Sequence, residues 1–394
     1  MGSLPPIYLD HLATTPVDPR VFEAMGPYFL EHFGNAASPN HSFGRRAKEA
    51  VETARGQVAG LLGAVPQELV FTSGATEAVN LALKGVADMY APKGKHLVTS
   101  SIEHKAVLDC HAFLETLGFE VTYVEPDGEG RVDPGTIASA LRPDTILASV
   151  MWANNEVGTL NPIEEIGALC RERNVLFFSD ASQAAGKVPI DVRRAGVSLL
   201  CVSAHKLYGP KGVGALYVSR KDPRVRLAAQ LHGGGHERGL RSGTANVPGI
   251  VGLGAACAVA AEELEEEQQR LGALRDHLEE RLRNEIPDVL RNGPTSERLA
   301  GCTNLSFGGI DAEDVLTRLG DDVAVSSGAA CTSASLEPSH VLAGMGVPPQ
   351  RIAGSIRFGL GRRTTREEID RAVELVASAV GAHRSAKLDS GARA

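Results

Sequence analysis

A chain of 394 residues is longer than one hydrophobic core usually organises, so one large and one smaller domain are expected. Its apolar stretches are strand-length and broken by Gly, Ser or charge, which excludes a membrane span on this reading. The net charge of −8, with 40 Lys and Arg scattered rather than striped, argues against nucleic acid as the main partner.

The segment Met1 to Leu9 lacks the basic and apolar regions of a secretory signal, so a cytoplasmic protein is expected. From about Ala47 to Val218 the pattern alternates. Apolar, β-branched runs at Glu68–Thr72, His96–Ser100, Glu120–Val124, Thr145–Met151, Val175–Ser179 and Leu199–Ser203 predict strands. Helical stretches lie between them at Ala75–Tyr90, Lys105–Leu117 and Ile163–Arg173, and Gly212–Val218 predicts one further strand. Such alternation implies an α/β fold with a mainly parallel central sheet flanked by helices.

Near Gly252 the texture changes. Leu264, Leu271, Leu274, Leu278 and Leu282 recur at helical spacing and predict a long amphipathic helix, with the acidic run Glu262–Glu267 as a solvated face. Short strands follow at Thr303–Phe307 and Ile356–Gly359, then a helix from Arg366 to about His383 and a frayed end over Ser385–Ala394. The domain boundary falls in or near the long helix. Residues 16–260 are expected to form the large domain, and 1–15 with 261–394 a smaller α+β domain.

Five segments carry chemical groups. In SAHKLYGP, Lys206 lies just past a predicted buried strand, where a partly desolvated amine forms Schiff bases. A loop lysine on the surface is the bland alternative, but Ser203 and His205 beside it are phosphate donors. Asp180 ends another strand, as an acid partner for a ring nitrogen or as a helix N-cap, with Gln183 suited to a capping box. Phe71–Glu77 runs strand, small turn, helix, which is either a phosphate nest or a simple cap. Cys331 sits in a run of small residues that offers little to bury a thiol, so it is a reactive group or an incidental loop thiol. Arg357, inside a short apolar strand, binds a carboxylate, either a substrate's or a structural one.

The other five cysteines, at 110, 170, 201, 257 and 302, fall in predicted helices or apolar strands and read as buried, inert thiols. None has metal-ligand spacing, and the glycines of HGGGH at 232–236 make a loop rather than a metal site. His104, at a helix start, is a candidate to lie over a ring or simply an exposed His.

Taken in order, FTSGATE at 71–77, EHKAVLD at 103–109, NNEVG at 154–158, SAHKLYGPKG at 203–212, GGGHERGLRSGT at 233–244 and SSGAACTSASLEPS at 326–339 resemble the cysteine desulfurases. These are class V aminotransferase-type enzymes of the fold-type I group, dependent on pyridoxal 5′-phosphate (PLP). The likeness spans essentially the whole folded chain. It implies that Lys206 holds the cofactor as a Schiff base, that His104 stacks on its ring and that Asp180 pairs with the ring nitrogen. It places Asn155 and Gln183 near the ring oxygen, and Ala75, Thr76, Ser203 and His205 at the phosphate. Thr244 would complete that cradle from the neighbouring subunit of a homodimer.

On the same resemblance, Arg357, with Asn155, would hold the carboxylate of L-cysteine. Lys206 would move the Cα proton, and Cys331 would take the sulfur as a persulfide, leaving alanine. An iron–sulfur scaffold or another acceptor protein would receive it. No resident metal is implied; at most Cys331 would share a cluster transiently with a scaffold. The loop resembles the long, flexible type of iron–sulfur and nitrogen-fixation desulfurases. Phe178, Trp152, Ala329 and the C-terminal tail depart from the common pattern, which leaves substrate preference and scaffold docking open. A selenocysteine lyase, another class V aminotransferase and a non-catalytic scaffold are the rival readings. An aminotransferase needs no mobile thiol.

Overall fold

The computed structural model describes residues 5–327 and 338–391. Cys331 lies outside the described residues. In chain order the elements begin with β1 (Ile7–Tyr8), α1 (Pro19–Met25), α2 (Pro27–Leu30), α3 (Ser42–Leu62), β2 (Leu69–Thr72) and α4 (Ala75–Tyr90). There follow β3 (His96–Ser100), α5 (Lys105–Thr116), β4 (Glu120–Val124), α6 (Pro134–Ala140), β5 (Thr145–Ser149), α7 (Ile163–Glu172) and β6 (Leu176–Asp180). Next are β7 (Leu199–Ser203), β8 (Gly214–Val218), the long α8 (Val247–Glu285), β9 (Val289–Asn292), β10 (Cys302–Phe307) and α9 (Ala312–Leu319). The chain closes with β11 (Val323–Ala324), β12 (Ser326–Ser327), α10 (His340–Gly344), α11 (Pro349–Ala353), β13 (Ser355–Gly359) and α12 (Arg366–Gly391).

Seven strands form one sheet in the order β2-β8-β7-β6-β5-β3-β4. All neighbours are parallel except β8, which runs antiparallel to both β2 and β7. Both faces are covered, so strand residues alternate between two apolar layers. Leu199 and Cys201 pack toward α4 and α5, whereas Leu200 and Val202 pack toward α3 and α8. Phe177 and Phe178, adjacent in sequence, go one to each layer and are wholly buried. Each such side chain contributes about 1.5–3 kcal/mol over leaving it exposed.

A four-stranded antiparallel sheet, β12-β13-β10-β9, and the parallel pair β1-β11 pack with α9 and α12 around a third apolar cluster. Helix α8 spans both regions: Ile250, Leu253, Cys257 and Ala260 belong to the main core, and Leu271, Leu278 and Leu282 to the third cluster. At 1.5 Å per residue its 39 residues make a rod about 60 Å long.

Three expectations need correction. By length and composition α8 is apolar enough to cross a membrane, because Gly and Ala between its large residues do not interrupt a helix as they would a strand. That stretch lies against α3 and α1 in the main core. The acidic run on α8 is not merely solvated: Glu263 pairs with Arg20 and Arg362, and Glu267 with Arg362. The final helix runs on to Gly391 rather than fraying from Ser385, since Ala386, Lys387 and Leu388 favour helix and no proline intervenes.

Candidate active site

A cavity of about 440 Å³ opens where β5, β6 and β7 end and α4 begins, the place where an open α/β sheet presents ligand groups. Strand β7 delivers Ser203, and one short 3₁₀ turn then places His205 and Lys206 in the cavity wall. The Lys206 ammonium donates to the carbonyls of Leu12 (2.7 Å) and Ala13 (2.8 Å), so the N-terminal segment holds it in place. His205 has Nδ1 3.1 Å from the Thr14 hydroxyl. Burial, then Lys206, Lys211 and Lys187, hold its pKa down at about 4, so its imidazole is neutral.

Asp180 ends β6 and is 5% exposed. Its Oδ1 accepts the Ser182 amide at 2.8 Å, and turns rather than an α-helix follow it, so the N-cap alternative does not apply. Gln183 is not in a capping box either. Its Nε2 donates to the Leu12 carbonyl (2.9 Å) and its Oε1 accepts from Lys187 (2.9 Å).

The phosphate side is built by close backbone packing. Thr72, Gly214 and Ser203 sit side by side across β2, β8 and β7. A Cβ on Gly214 would lie 2.6 Å from the Val202 carbonyl and 2.8 Å from the Gly74 Cα, so only glycine admits this approach. Gly74, with φ +152°, is the N-cap of α4 and offers no capping side chain. The first turn, with Ala75 and Thr76, therefore turns unpaired amides and the positive end of the helix into the cavity.

On the rim, His104 is the N-cap of α5, its Nδ1 accepting the Ala106 amide at 3.1 Å. Burial lowers its pKa, so it presents a neutral ring with the proton on Nε2. Asn155 lines the same cavity. Its carbonyl accepts from Arg357 (2.9 Å), whose guanidinium also reaches Asp10 (2.8 Å) and Ser326 (3.2 Å).

Nine of the expected residues thus share one cavity: Ala75, Thr76, His104, Asn155, Asp180, Gln183, Ser203, His205 and Lys206. Arg357 is buried one step behind Asn155 and is not in the wall. Thr244 is exposed and also outside it. Sequence reasoning missed the carbonyls of Leu12 and Ala13, the buried acid Glu103 and the amine of Lys187. Only Lys187 left a trace, at four residues from Gln183. The five other cysteines are all buried and free.

The donor set suits pyridoxal phosphate. An amine, a carboxylate, a flat neutral ring and an uncapped helix start meet the needs of an aldehyde, a pyridine nitrogen, an aromatic face and a phosphate. A family model for class-V aminotransferases matches residues 7–372. The chain is 58% identical over 370 residues to the cysteine desulfurase IscS of Anaeromyxobacter dehalogenans, covering 94% of this chain and 91% of that one. The IscS of Methylobacillus flagellatus is 54% identical over 377 residues, 95% and 92% of the two chains. Among solved structures, a NifS-like protein superposes with a TM-score of 0.89 at 38% identity, over 95% of this chain and 99% of that one. SspA in complex with cysteine gives 0.79 at 39% identity, over 90% and 98%. The chain therefore belongs to the class-V aminotransferase family of fold-type I, PLP-dependent enzymes.

Proposed function

We propose that this chain is a cysteine desulfurase, which takes sulfur from L-cysteine, releases L-alanine and holds the sulfur as a persulfide on Cys331. The observation that carries the reading is the convergence of Lys206, Asp180 and the uncapped start of α4 on one cavity, in a chain more than half identical to cysteine desulfurases.

When bound, pyridoxal phosphate supplies an electron sink that makes the substrate Cα proton acidic. The chain does the rest. Lys206 anchors the cofactor and moves that proton on Nζ; Asp180 keeps the ring nitrogen protonated. The amides of Ala75 and Thr76, with Ser203 and His205, bind the phosphate, and His104, Asn155 and Gln183 position the ring. Arg357 and Asn155 take the substrate carboxylate. Cys331, as thiolate, would attack the substrate sulfur; the Cβ–S bond breaks with its electron pair passing to Cβ, which takes up a proton, so alanine leaves and the sulfur stays on Cys331 as a persulfide.

The reading includes a homodimer in which Thr244 serves the partner's phosphate cradle, and a sulfur-acceptor protein such as an iron–sulfur scaffold. It also includes a cytoplasmic setting and a large domain of residues 16–260 beside a smaller one of residues 1–15 and 261–394. In the Cys331→Ser variant, sulfide release from cysteine is abolished while the visible absorbance of the bound cofactor stays intact. Full activity in that variant refutes the persulfide role.

A further inference from the structure

Behind the wall of the cavity lies a second amine that the reaction above does not use. A run of turns from Ala181 to Val188 puts Lys187 four residues beyond Gln183. The turn is pinned from outside: the Gln268 side chain of α8 donates to the Lys187 carbonyl at 2.6 Å, and a Cβ on Gly186 (φ +72°) would meet Ala260 at 2.9 Å. Lys187 Nζ donates to Gln183 Oε1 at 2.9 Å. A charged lysine only donates, so while Lys187 carries its proton the amide oxygen faces it and the NH₂ faces the other way. That NH₂ reaches the Leu12 carbonyl, which also accepts from Lys206. An amide turned over would set NH₂ against a donor and oxygen against a carbonyl.

We propose that Lys187 is a positioning residue for the chemistry at Lys206: it locks the Gln183 amide with its NH₂ on the cavity side and sets a second amine behind the first. The proposal rests on the desulfurase reading. Around Lys187 stand Lys206 and His205 after β7, His11 of the N-terminal segment, Glu267 of α8, Cys302 of β10 and Arg357 of β13. Burial, then the charge of Lys206, brings the pKa of Lys187 down to about 7. Lys187 in turn helps to lower His205 and His11. Its charge is therefore coupled to those of Lys206 and His205 in the cavity wall.

The test uses the holoenzyme and variants at position 187, followed by visible absorbance against pH and by the rate of cofactor release. Removing a neighbouring cation favours the protonated form of the Lys206–cofactor linkage, so in Lys187→Met its titration moves up by about one pH unit. Cofactor release becomes roughly tenfold faster as the amide loses its fixed orientation. Lys187→Arg, which keeps donor and charge, restores both. Should Lys187→Met fail to fold, Lys187→Gln keeps a donor without the charge, and it retains the cofactor while its titration still moves. A wild-type titration in either Lys187→Met or Lys187→Gln, or wild-type cofactor retention in Lys187→Met, overturns the proposal, whatever the melting temperature. A wild-type chain with no visible band after addition of pyridoxal phosphate overturns the desulfurase reading as well, so the two failures are told apart.

Discussion

Glu103 carries its carboxyl 0% exposed between two sheet strands, next to His104. Its Oε1 accepts from the Ser100 hydroxyl and the Met151 amide, and its Oε2 finds no partner among the described residues. Burial pushes its pKa up to about 8 from an ordinary 4.5, outweighing those two hydrogen bonds. Because the folded value lies above the unfolded one, its contribution to stability is fully present below about pH 4.5 and is lost as pH rises toward 8. Glu103→Gln, which copies the neutral acid, should match wild type in thermal melts at pH 4 and exceed it at pH 8.5 by on the order of 4 kcal/mol. A stability difference that ignores pH would contradict this account. The same reasoning applies to Glu156, also buried and raised to about 7 despite the Ser339 hydroxyl bound to it.

Between β8 and α8, the glycine-rich segment GGGHERGLRSGT is tied down by two acids. Glu237 accepts both ends of the Arg55 guanidinium of α3 at 2.8 Å, and the Phe71 amide of β2 at 3.0 Å. Arg241 reaches back to Glu77 in the first turn of α4. Arg55 is nearly buried, and Glu237→Ala removes its two-pronged partner while leaving only Glu52, largely exposed, and the Leu69 carbonyl, so the loss should be about 1–3 kcal/mol in urea unfolding of the holoenzyme. Glu237→Gln, which keeps an acceptor, should lose less. The strands and helices around this segment were legible because each has a pattern: short apolar, β-branched runs for the buried strands, and spaced leucines for α8. Lys206 and Asp180 were legible because they stand where such runs stop. Glu237 and Glu103 were not, since their roles depend on which distant residue folds against them, Arg55 and Met151; Lys187 left only its four-residue spacing from Gln183. Thr244, named from the family motif, and Arg357, named from its place in a short apolar strand, both lie outside the cavity wall.

At the scale of the whole molecule, a cradle shared between subunits makes a sharp prediction. Lys206→Ala and Thr244→Ala proteins, mixed and allowed to exchange subunits, form mixed dimers that contain one site with both groups intact. Random exchange makes half the dimers mixed, so desulfurase activity should recover to about a quarter of wild type. If Thr244 serves its own subunit instead, mixing should add nothing beyond the average of the two variants.

The N-terminal segment enters the architecture from the far end of the chain. Ile7 pairs with Val323 in β1-β11, and a few residues later Leu12 and Ala13 hold the reactive amine. On the ribosome, the first strand to emerge must wait for one of the last. At typical translation speeds that delay is on the order of tens of seconds. The amine thus gains its final setting only after Val323 has been made, long after the segment that holds it.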